Sequence, residues 1–175
     1  MNLGTVLIPG SRLIDNYLSD TTNIFDRLID IDYDKSMKSR WTASFGKAYD
    51  YSGNVYPDTT LPDFLNDIAN LISPLVGFTP NNCLINRYHD GKSSMGYHSD
   101  NIDNLLPGTG VVIISIGSSR TLRFKNKLNS DIIDYVLNDG SIFYMNDIVQ
   151  NLWFHSIPKS DTSDVRFSLT FRNLI

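Results

Sequence analysis

Two histidines and one aspartate form the most chemically suggestive set in the sequence. His98 and Asp100 are separated only by Ser99 in the stretch NRYHDGKSSMGYHSDN, and His155 follows far downstream in NLWFHSIP. In an extended strand, residues i and i+2 point to the same side, so His98 and Asp100 can face one ligand together. Taken alone, such a pair is more often an exposed strand edge. With His155 it completes two imidazoles and one carboxylate, the ligand set of non-haem Fe(II) oxygenases.

The remaining histidine and the cysteine content limit the alternatives for a metal site. His89 lies in the turn-like stretch YHDGK, where we expect a solvated side chain. Cys83 is the only cysteine, so the chain can build neither an internal disulfide nor a thiolate zinc site. A metal ion, if bound, must therefore use imidazole and carboxylate ligands.

The segment VRFSLTFRNLI near the end of the chain alternates polar and apolar residues. In a strand, Arg166, Ser168, Thr170 and Arg172 would share one face, while the apolar residues between them share the other. Two arginines inside a barrel are costly without anions, and a dicarboxylate could pair with both. A half-exposed edge strand with solvated arginines is the alternative for this segment alone.

Two helices and a set of short strands must position these residues. Apolar spacing predicts helices over TTNIFDRLIDI, behind a threonine cap, and over LPDFLNDIANLISPLVG, where Pro62 suits the first turn and Gly77 ends the helix. The region between them, RWTASFGKAYDYSGNVYPDTT, reads as turns or short strands. After Asn82, strand-like runs separated by turn residues predict a β-barrel or jelly roll. We expect residues 83–175 to form this core, with the helices of residues 1–82 packed outside it.

Bulk properties indicate one globular domain of 175 residues, with 41% hydrophobic and 19% charged residues. No apolar run approaches the roughly 20 residues that cross a bilayer, and the N-terminus lacks signal-peptide features. We expect a monomeric, soluble, intracellular protein of the cytoplasm or nucleus, with no membrane partner. A net charge of −4 and a pI near 5.2 argue weakly against a nucleic-acid partner, although a local basic rim remains compatible with them.

The order of these motifs resembles one enzyme family. CLINRYHDG, HSD, SIG, DGSIFYMN, WFHSIP and RFSLTFR follow each other as in the AlkB-type Fe(II) and 2-oxoglutarate-dependent dealkylating dioxygenases, over about Arg40 to Arg172. The resemblance implies an α+β protein with a double-stranded β-helix (jelly-roll, cupin-like) core. It implies that Fe(II) is bound by His98, Asp100 and His155, and that Arg166 and Arg172 bind 2-oxoglutarate. Further co-substrate contacts are implied for Asn86, Tyr88 and Thr170.

The same resemblance points to a nucleotide-recognition region in ASFGKAYDYSGNVY. Phe45, Gly46 and Lys47 correspond to a loop that approaches nucleic acid, and Tyr49 and Tyr51 to an aromatic wall around the base. Aromatic faces can replace the stacking that an extruded base loses. The alternative is that these tyrosines only cover the barrel mouth. Trp41 and Trp153 are interpreted as packing residues.

One position departs from the family pattern. Members that resemble this chain have acidic residues directly after the metal-binding aspartate, whereas here Asn101 and Ile102 follow Asp100. Asn101 can hydrogen-bond a base but brings no negative charge toward a cationic methylated base.

The resemblance implies oxidative demethylation of N-alkylated bases, of the 1-methyladenine and 3-methylcytosine type, in DNA or RNA. Oxygen and 2-oxoglutarate would be consumed, and succinate, carbon dioxide and formaldehyde released. We expect single-stranded nucleic acid as the partner. Two alternatives stay open: an oxygenase of the same chemistry that acts on a protein side chain or small metabolite, and a binding module without catalysis.

Overall fold

Two facing antiparallel β-sheets form the framework that carries the candidate residues. The computed structural model describes residues 4–51 and 54–175, and within them the chain forms twelve strands and three helices. The strands are β1 Ser11–Ile14, β2 Trp41–Gly46, β3 Tyr49–Tyr51, β4 Asn54–Tyr56, β5 Asn82–Tyr88, β6 Met95–His98, β7 Val111–Gly117, β8 Arg120–Asn126, β9 Ile132–Leu137, β10 Ile142–Met145, β11 Trp153–Ile157 and β12 Arg166–Arg172. The helices are α1 Thr22–Ile29, α2 Asp63–Val76 and α3 Asp147–Leu152.

The larger sheet has six strands in the order β1-β10-β7-β12-β5-β2, and the smaller sheet has four in the order β6-β11-β8-β9. A separate hairpin pairs β3 with β4. Neighbours in the two main sheets are non-consecutive in the chain at most positions, which is the connectivity of a jelly roll. The predicted double-stranded β-helix is therefore confirmed.

Strand alternation divides the apolar residues into two layers. Inward-facing residues of both sheets meet in one cluster, which includes Leu84 and Ile113 of the large sheet and Leu122 and Phe124 of the small one. Outward-facing residues of the large sheet, such as Ile85, pack instead against the helices in a second cluster. The sandwich interior and the helix layer are thus separate, and the polar residues of β12 lie on the interior side.

Both predicted N-terminal helices are present and lie against the outer face of the large sheet. Leu28 of α1 and Leu65 of α2 are completely buried there. Gly77 ends α2 as predicted: its φ is 79°, in the left-handed region, and its N–H donates to the Ser73 carbonyl. Pro62 precedes the first helical residue of α2 as its N-cap rather than standing within the first turn.

The threonine cap predicted for α1 is not formed. Thr21 occupies the N-cap position, but its side chain makes no capping hydrogen bond and donates instead to Asp139 Oδ2 at 2.6 Å. Asp20 Oδ1 accepts from the Thr22 N–H at 3.1 Å and supplies the cap from one residue earlier.

The N-terminal half contributes more to the core than its predicted helices. β1 pairs with β10, and β2 pairs with β5, so both edges of the six-stranded sheet come from the first 82 residues. Their pairing partners lie far along the chain, and sequence periodicity alone does not reveal long-range pairing. Helix α3 was also missed, because six residues are too few to show a helical period.

Among the described residues, no helix is both long and apolar enough to span a membrane.

Candidate active site

Three side chains, from the neighbouring strands β6 and β11 and from the loop that follows β6, converge on one point. His98 ends β6, His155 lies in the middle of β11, and the two residues are direct partners across this antiparallel pair. Asp100 Oδ1 lies 3.6 Å from His98 Nε2 and 3.8 Å from His155 Nε2. The three candidate ligand atoms lie within 4.8 Å of one another, which is the convergence that a single metal ion needs.

The hydrogen bonds and burial of the imidazoles leave Nε2 free to bind a metal. His98 Nδ1 lies 2.9 Å from the Gly96 carbonyl, and donation to that oxygen places the lone pair on Nε2. His155 is 2% exposed, and burial is the main cause that lowers its pKa to about 3, so the imidazole is neutral at physiological pH. The buried His155 ring is therefore in the form that coordinates a metal ion.

Asp100 is held in place from its backbone and its side chain. Its N–H donates to Gln150 Oε1 at 2.9 Å, and its Oδ2 accepts from Arg172 Nη2 at 3.0 Å. Burial favours the protonated acid, but Arg172 and the two imidazoles outweigh this effect and hold the pKa of Asp100 well below its usual range. The carboxylate is thus ionised, with Oδ1 directed at the histidines.

Gln150 is a site residue that the sequence reading missed. It lies in α3, is 2% exposed and is the only glutamine in the chain. The sequence contains one signal for this helix, an asparagine at the N-cap position. Asn146 precedes Asp147, and its side chain accepts a hydrogen bond from the Val149 N–H. The cap fixes the helix start, and the helix places Gln150 beneath Asp100.

A narrow internal cavity lies behind the three ligands. Its polar lining comes from β5, β12 and the candidate ligands, namely Asn86, Tyr88, Arg166, Ser168, Thr170, Arg172, His98, Asp100 and His155. Its apolar lining is Leu84, Met95, Ile113, Leu122 and Ile157. Strand register explains the grouping, because Tyr88 stands opposite Arg166 and Asn86 opposite Ser168. The structure therefore brings together every residue that the resemblance implied for metal and co-substrate.

Arg166 indicates what this cavity accepts. Its side chain is 1% exposed, and Nε donates to Ser115 Oγ at 2.8 Å. Its terminal nitrogens Nη1 and Nη2 have no well-formed hydrogen bond to any described residue. Burial lowers the pKa of Arg166 to about 10, yet the group stays charged at neutral pH. A buried guanidinium that forms no ion pair with a described carboxylate fits an anionic ligand, and a carboxylate of 2-oxoglutarate supplies one.

An outer cleft of about 420 Å³ opens on the other side of the ligands. Residues of β6, the loop after it, β3 and the segment before β2 line this cleft, among them Met37, Arg40, Tyr49, Asp50, Tyr97, His98 and Asn101. Arg40 is 6% exposed, and its Nε donates to Asn86 Oδ1 at 2.9 Å. Arg40 thus contacts a residue of the inner cavity while it lines the outer cleft, a position that sequence alone does not show.

Tyr49 lies between the two spaces rather than standing as an exposed wall. It is 4% exposed, and the Arg172 guanidinium lies 4.4 Å from its ring centroid. Burial raises the pKa of Tyr49, and the neighbouring Arg172 opposes this rise. Asn101 is exposed at the cleft, and its Oδ1 accepts from the Asp103 N–H at 2.9 Å.

Three residues expected near the substrate are not brought into this cleft. Phe45 packs in the cluster beneath the helices, while Gly46 and Lys47 line a separate surface groove with Asp58 and Thr59. Tyr51 belongs to β3, and its side chain lies outside the described part of the chain.

The remaining aromatic and histidine assignments are partly revised. His89 is half-buried rather than solvated, with its ring 4.1 Å from that of Trp41 in an edge arrangement. Trp41 also lies 5.2 Å from the Arg87 guanidinium, and Trp153 packs against the interior cluster. Both tryptophans are packing residues, as predicted.

Comparisons with known proteins agree with this geometry. Residues 27–172 match the family described as the 2OG-Fe(II) oxygenase superfamily. The human DNA oxidative demethylase ALKBH2 is 32% identical over 149 residues, which cover 78% of this chain and 57% of that protein. An uncharacterized protein of Acanthamoeba polyphaga mimivirus is 30% identical over 139 residues, covering 78% of this chain and 72% of its own.

The chain is also similar to another human dioxygenase in sequence and to a solved structure in fold. The human alpha-ketoglutarate-dependent dioxygenase alkB homolog 3 is 30% identical over 147 residues, covering 77% of this chain and 51% of that protein. The solved structure of OsALKBH1 superimposes with a TM-score of 0.70 and covers 97% of this chain and 100% of its own, at 18% identity. That structure shows the shared fold. The chain spans only about half the length of the two human relatives.

Proposed function

The chain belongs to the 2OG-Fe(II) oxygenase superfamily, whose AlkB-type members it resembles, and we propose that it removes N-linked methyl groups from bases of nucleic acid. It is a dioxygenase with Fe(II), 2-oxoglutarate and O₂ as its cofactor and co-substrates. The proposal concerns the substrate and the role of each residue.

The main support for the proposal is that the candidate metal ligands lie between two different spaces. His98 and Asp100 line both the inner cavity and the outer cleft. The inner space contains the buried guanidinium groups of Arg166 and Arg172, whose charge suits a small dicarboxylate. The outer space is open and large enough for a base. An oxygenase that couples 2-oxoglutarate to a second substrate requires this arrangement.

The proposed residue roles are those that the family resemblance implies, and the grouping of these residues around the two spaces supports them. His98, Asp100 and His155 hold the iron, which supplies activated oxygen when it is bound. Arg166 and Arg172 bind the carboxylates of 2-oxoglutarate, and Asn86, Tyr88 and Thr170 shape the cavity around it. Arg172 also donates to Asp100 Oδ2, so it joins the co-substrate site to the metal ligands.

The proposed reaction is an oxidative demethylation that is balanced in atoms. One oxygen atom of O₂ enters 2-oxoglutarate, which loses carbon dioxide and becomes succinate. The other oxygen atom enters a methyl C–H bond, and the resulting N–CH₂OH group breaks its C–N bond to release formaldehyde and the restored base. No protein nucleophile is needed, which agrees with a site that contains imidazole, carboxylate and guanidinium groups.

The proposed substrates are 1-methyladenine and 3-methylcytosine in single-stranded DNA or RNA, bound by a monomer in which residues 1–175 form one catalytic domain. Support comes from the aromatic ring of Tyr49 at the cleft, from Asn101 beside it, and from relatives that are named as a DNA demethylase and an alkB homolog. Phe45, Gly46 and Lys47 lie outside the cleft, so any contact they make would be with nucleotides beyond the target base.

The decisive experiment measures formaldehyde and succinate together. Purified protein with Fe(II), ascorbate and 2-oxoglutarate receives a methylated oligonucleotide, its unmethylated twin, or a mixture of peptides and metabolites. We expect formaldehyde only with the methylated oligonucleotide, in equal amount to the extra succinate. Turnover with a peptide or metabolite alone would favour the side-chain or metabolite oxygenase, and no succinate under any condition would favour a binding module.

A further inference from the structure

The outer face of the small sheet carries two exposed aromatic rings beside the cleft, each accompanied by a lysine. Tyr97 is 46% exposed and Phe154 is 39% exposed. Lys125 Nζ lies 5.9 Å from the Tyr97 ring centroid, and Lys127 Nζ lies 4.8 Å from that of Phe154. We name these four residues the aromatic–lysine strip.

The strip is continuous with the candidate active site. Tyr97 directly precedes the ligand His98 and lines the outer cleft. Phe154 directly precedes the ligand His155 on the neighbouring strand, and its cross-strand partner in β8 is Lys125. Because alternate residues of a strand face opposite sides, both aromatic residues face outward for the same reason that both histidines face inward.

Charge on this face differs from that of the whole chain. The protein has a net charge of −4, yet Lys125 and Lys127 make no ion pair with any described acidic residue. The acid on the neighbouring strand, Asp134, is paired with Arg123 at 2.6 Å. Lys127 Nζ donates to the Gln150 carbonyl, which anchors its ammonium beside the ring of Phe154. The strip is thus a small cationic and aromatic surface on an acidic protein.

We infer that the aromatic–lysine strip binds the nucleotides that flank the target base in a single strand, with bases stacked on Tyr97 and Phe154 and phosphates near Lys125 and Lys127. This inference rests on the proposed function and extends it from the base in the cleft to the path of the strand. Exposed aromatic rings stack on unpaired bases of any sequence, and lysines attract the adjoining phosphates. A duplex hides the faces of its bases, so the strip favours single strands.

Direct binding tests the strip without relying on catalysis. The probe is a fluorescently labelled, unmethylated 12-nucleotide single strand, and its anisotropy is measured against protein loaded with Mn(II) and 2-oxoglutarate. We expect Tyr97→Ala and Phe154→Ala each to weaken binding by about tenfold, because each removes a stacking surface. The slope of log affinity against log salt should stay unchanged in both variants, since neither change removes a charge.

The lysine variants, unlike the aromatic ones, should change the salt dependence of binding. Lys125→Gln should reduce the salt slope by about 0.7, because one phosphate of the single strand is then no longer neutralised by the protein. Lys127→Gln should do the same, and Lys127→Arg should restore the slope. Val136→Ala on the same sheet face and Lys159→Gln in the loop after β11 are matched controls, because both residues are exposed but lie outside the strip.

The results of these experiments can distinguish a failure of the strip proposal from a failure of the proposed function. Wild-type affinity in both aromatic variants, or equal losses in the control variants, would overturn the strip. If the wild-type protein bound the 12-mer through the strip but released no formaldehyde from a methylated oligonucleotide, the strip would stand and demethylation would fail. If it demethylated normally and a labelled duplex bound as tightly as the single strand, the single-strand path would be wrong.

Discussion

His98 ends a strand with 26% of its side chain exposed, whereas Asp100 and His155 are almost completely buried. His98→Ala therefore removes a metal ligand with little loss of packing. We expect it to abolish succinate formation and to remove the rise in melting temperature that Mn(II) gives the wild-type protein. His89→Ala is the matched control, because this histidine packs against Trp41 outside the ligand set. Retention of iron-dependent turnover in both His98→Ala and His155→Ala would refute the ligand assignment.

Arg166 is the residue whose loss should affect the co-substrate most directly. Charge-assisted hydrogen bonds contribute about 1.5–3 kcal/mol, so Arg166→Ala should weaken 2-oxoglutarate binding by roughly ten- to a hundredfold. Arg166→Lys should restore only part of the affinity, since an ammonium group cannot reproduce the planar fork. Calorimetry with Mn(II)-loaded protein measures this effect.

Arg123→Ala provides the comparison for Arg166, because Arg123 forms an exposed ion pair with Asp134 and does not line the cavity. Its removal should change the free energy of unfolding by no more than about 1 kcal/mol and leave 2-oxoglutarate affinity unaltered. Equal affinity for 2-oxoglutarate in wild type and Arg166→Ala would exclude Arg166 from the co-substrate site.

The buried position of Tyr49 predicts that it affects both substrates, whereas the sequence predicted contact with the base alone. An exposed lid residue would contact only the base, and its loss would leave conversion of 2-oxoglutarate to succinate intact. The buried ring lies against the Arg172 guanidinium at 4.4 Å, so Tyr49→Ala should raise the KM for 2-oxoglutarate as well as slow oligonucleotide demethylation. Tyr49→Phe keeps the ring and should retain most of the 2-oxoglutarate affinity. A normal KM for 2-oxoglutarate in Tyr49→Ala would contradict this coupling.

At the scale of elements, the short helix α3 leads to a prediction about metal binding. It presents Gln150, whose Oε1 accepts from the Asp100 N–H. Groups that orient metal ligands typically change metal affinity by about 10- to 100-fold when they are removed. We expect Gln150→Ala to weaken Mn(II) binding within this range, while Asn151→Ala, an exposed change in the same helix, leaves it unchanged. Direct titration with Mn(II), followed by its electron paramagnetic resonance signal, provides the measurement.

Helix α2 and strand β12 could be predicted from the sequence, whereas strand β1 could not. Helix α2 was predictable because its apolar residues recur at helical spacing and Gly77 ends it in the left-handed conformation. Strand β12 was predictable because polar and apolar residues alternate along it. Strand β1 shows no comparable signal in four residues, and its place at the sheet edge depends on pairing with β10 about 130 positions later.

At the scale of the whole molecule, the balance of charge predicts how activity depends on salt. An acidic chain that contacts nucleic acid through few lysines should contact few phosphates. We therefore expect demethylation of a single-stranded oligonucleotide to fall with rising salt along a shallow slope, measured as kcat/KM between low and physiological ionic strength. Single strands should be better substrates than duplexes, because extruding a paired base costs a few kcal/mol. A steep slope or a preference for duplex would contradict this expectation.

The sequence by itself determined which residue types could share a site. Two imidazoles and a carboxylate indicated a non-haem iron ligand set, and the period of a strand put Arg166 and Arg172 on one face, because side-chain chemistry and strand periodicity are local properties. The assignment of these arginines to 2-oxoglutarate came from the resemblance to the AlkB-type family. Residues two apart on one strand must share a face whatever the rest of the chain does. The jelly-roll core could be predicted for the same reason, as its strands are short, alternating and separated by turn residues.

Only the tertiary structure decided which residues from distant segments complete the site. Gln150 beneath Asp100, Tyr49 against Arg172, and Arg40 between cavity and cleft each depend on packing between elements far apart in the chain. It also placed Phe45 beneath the helices, Tyr97 in the lining of the cleft and Phe154 on the exposed face of the neighbouring strand. Local periodicity specifies the face of a strand on which a side chain lies. The pairing of strands that are remote in sequence specifies which residues that face contacts.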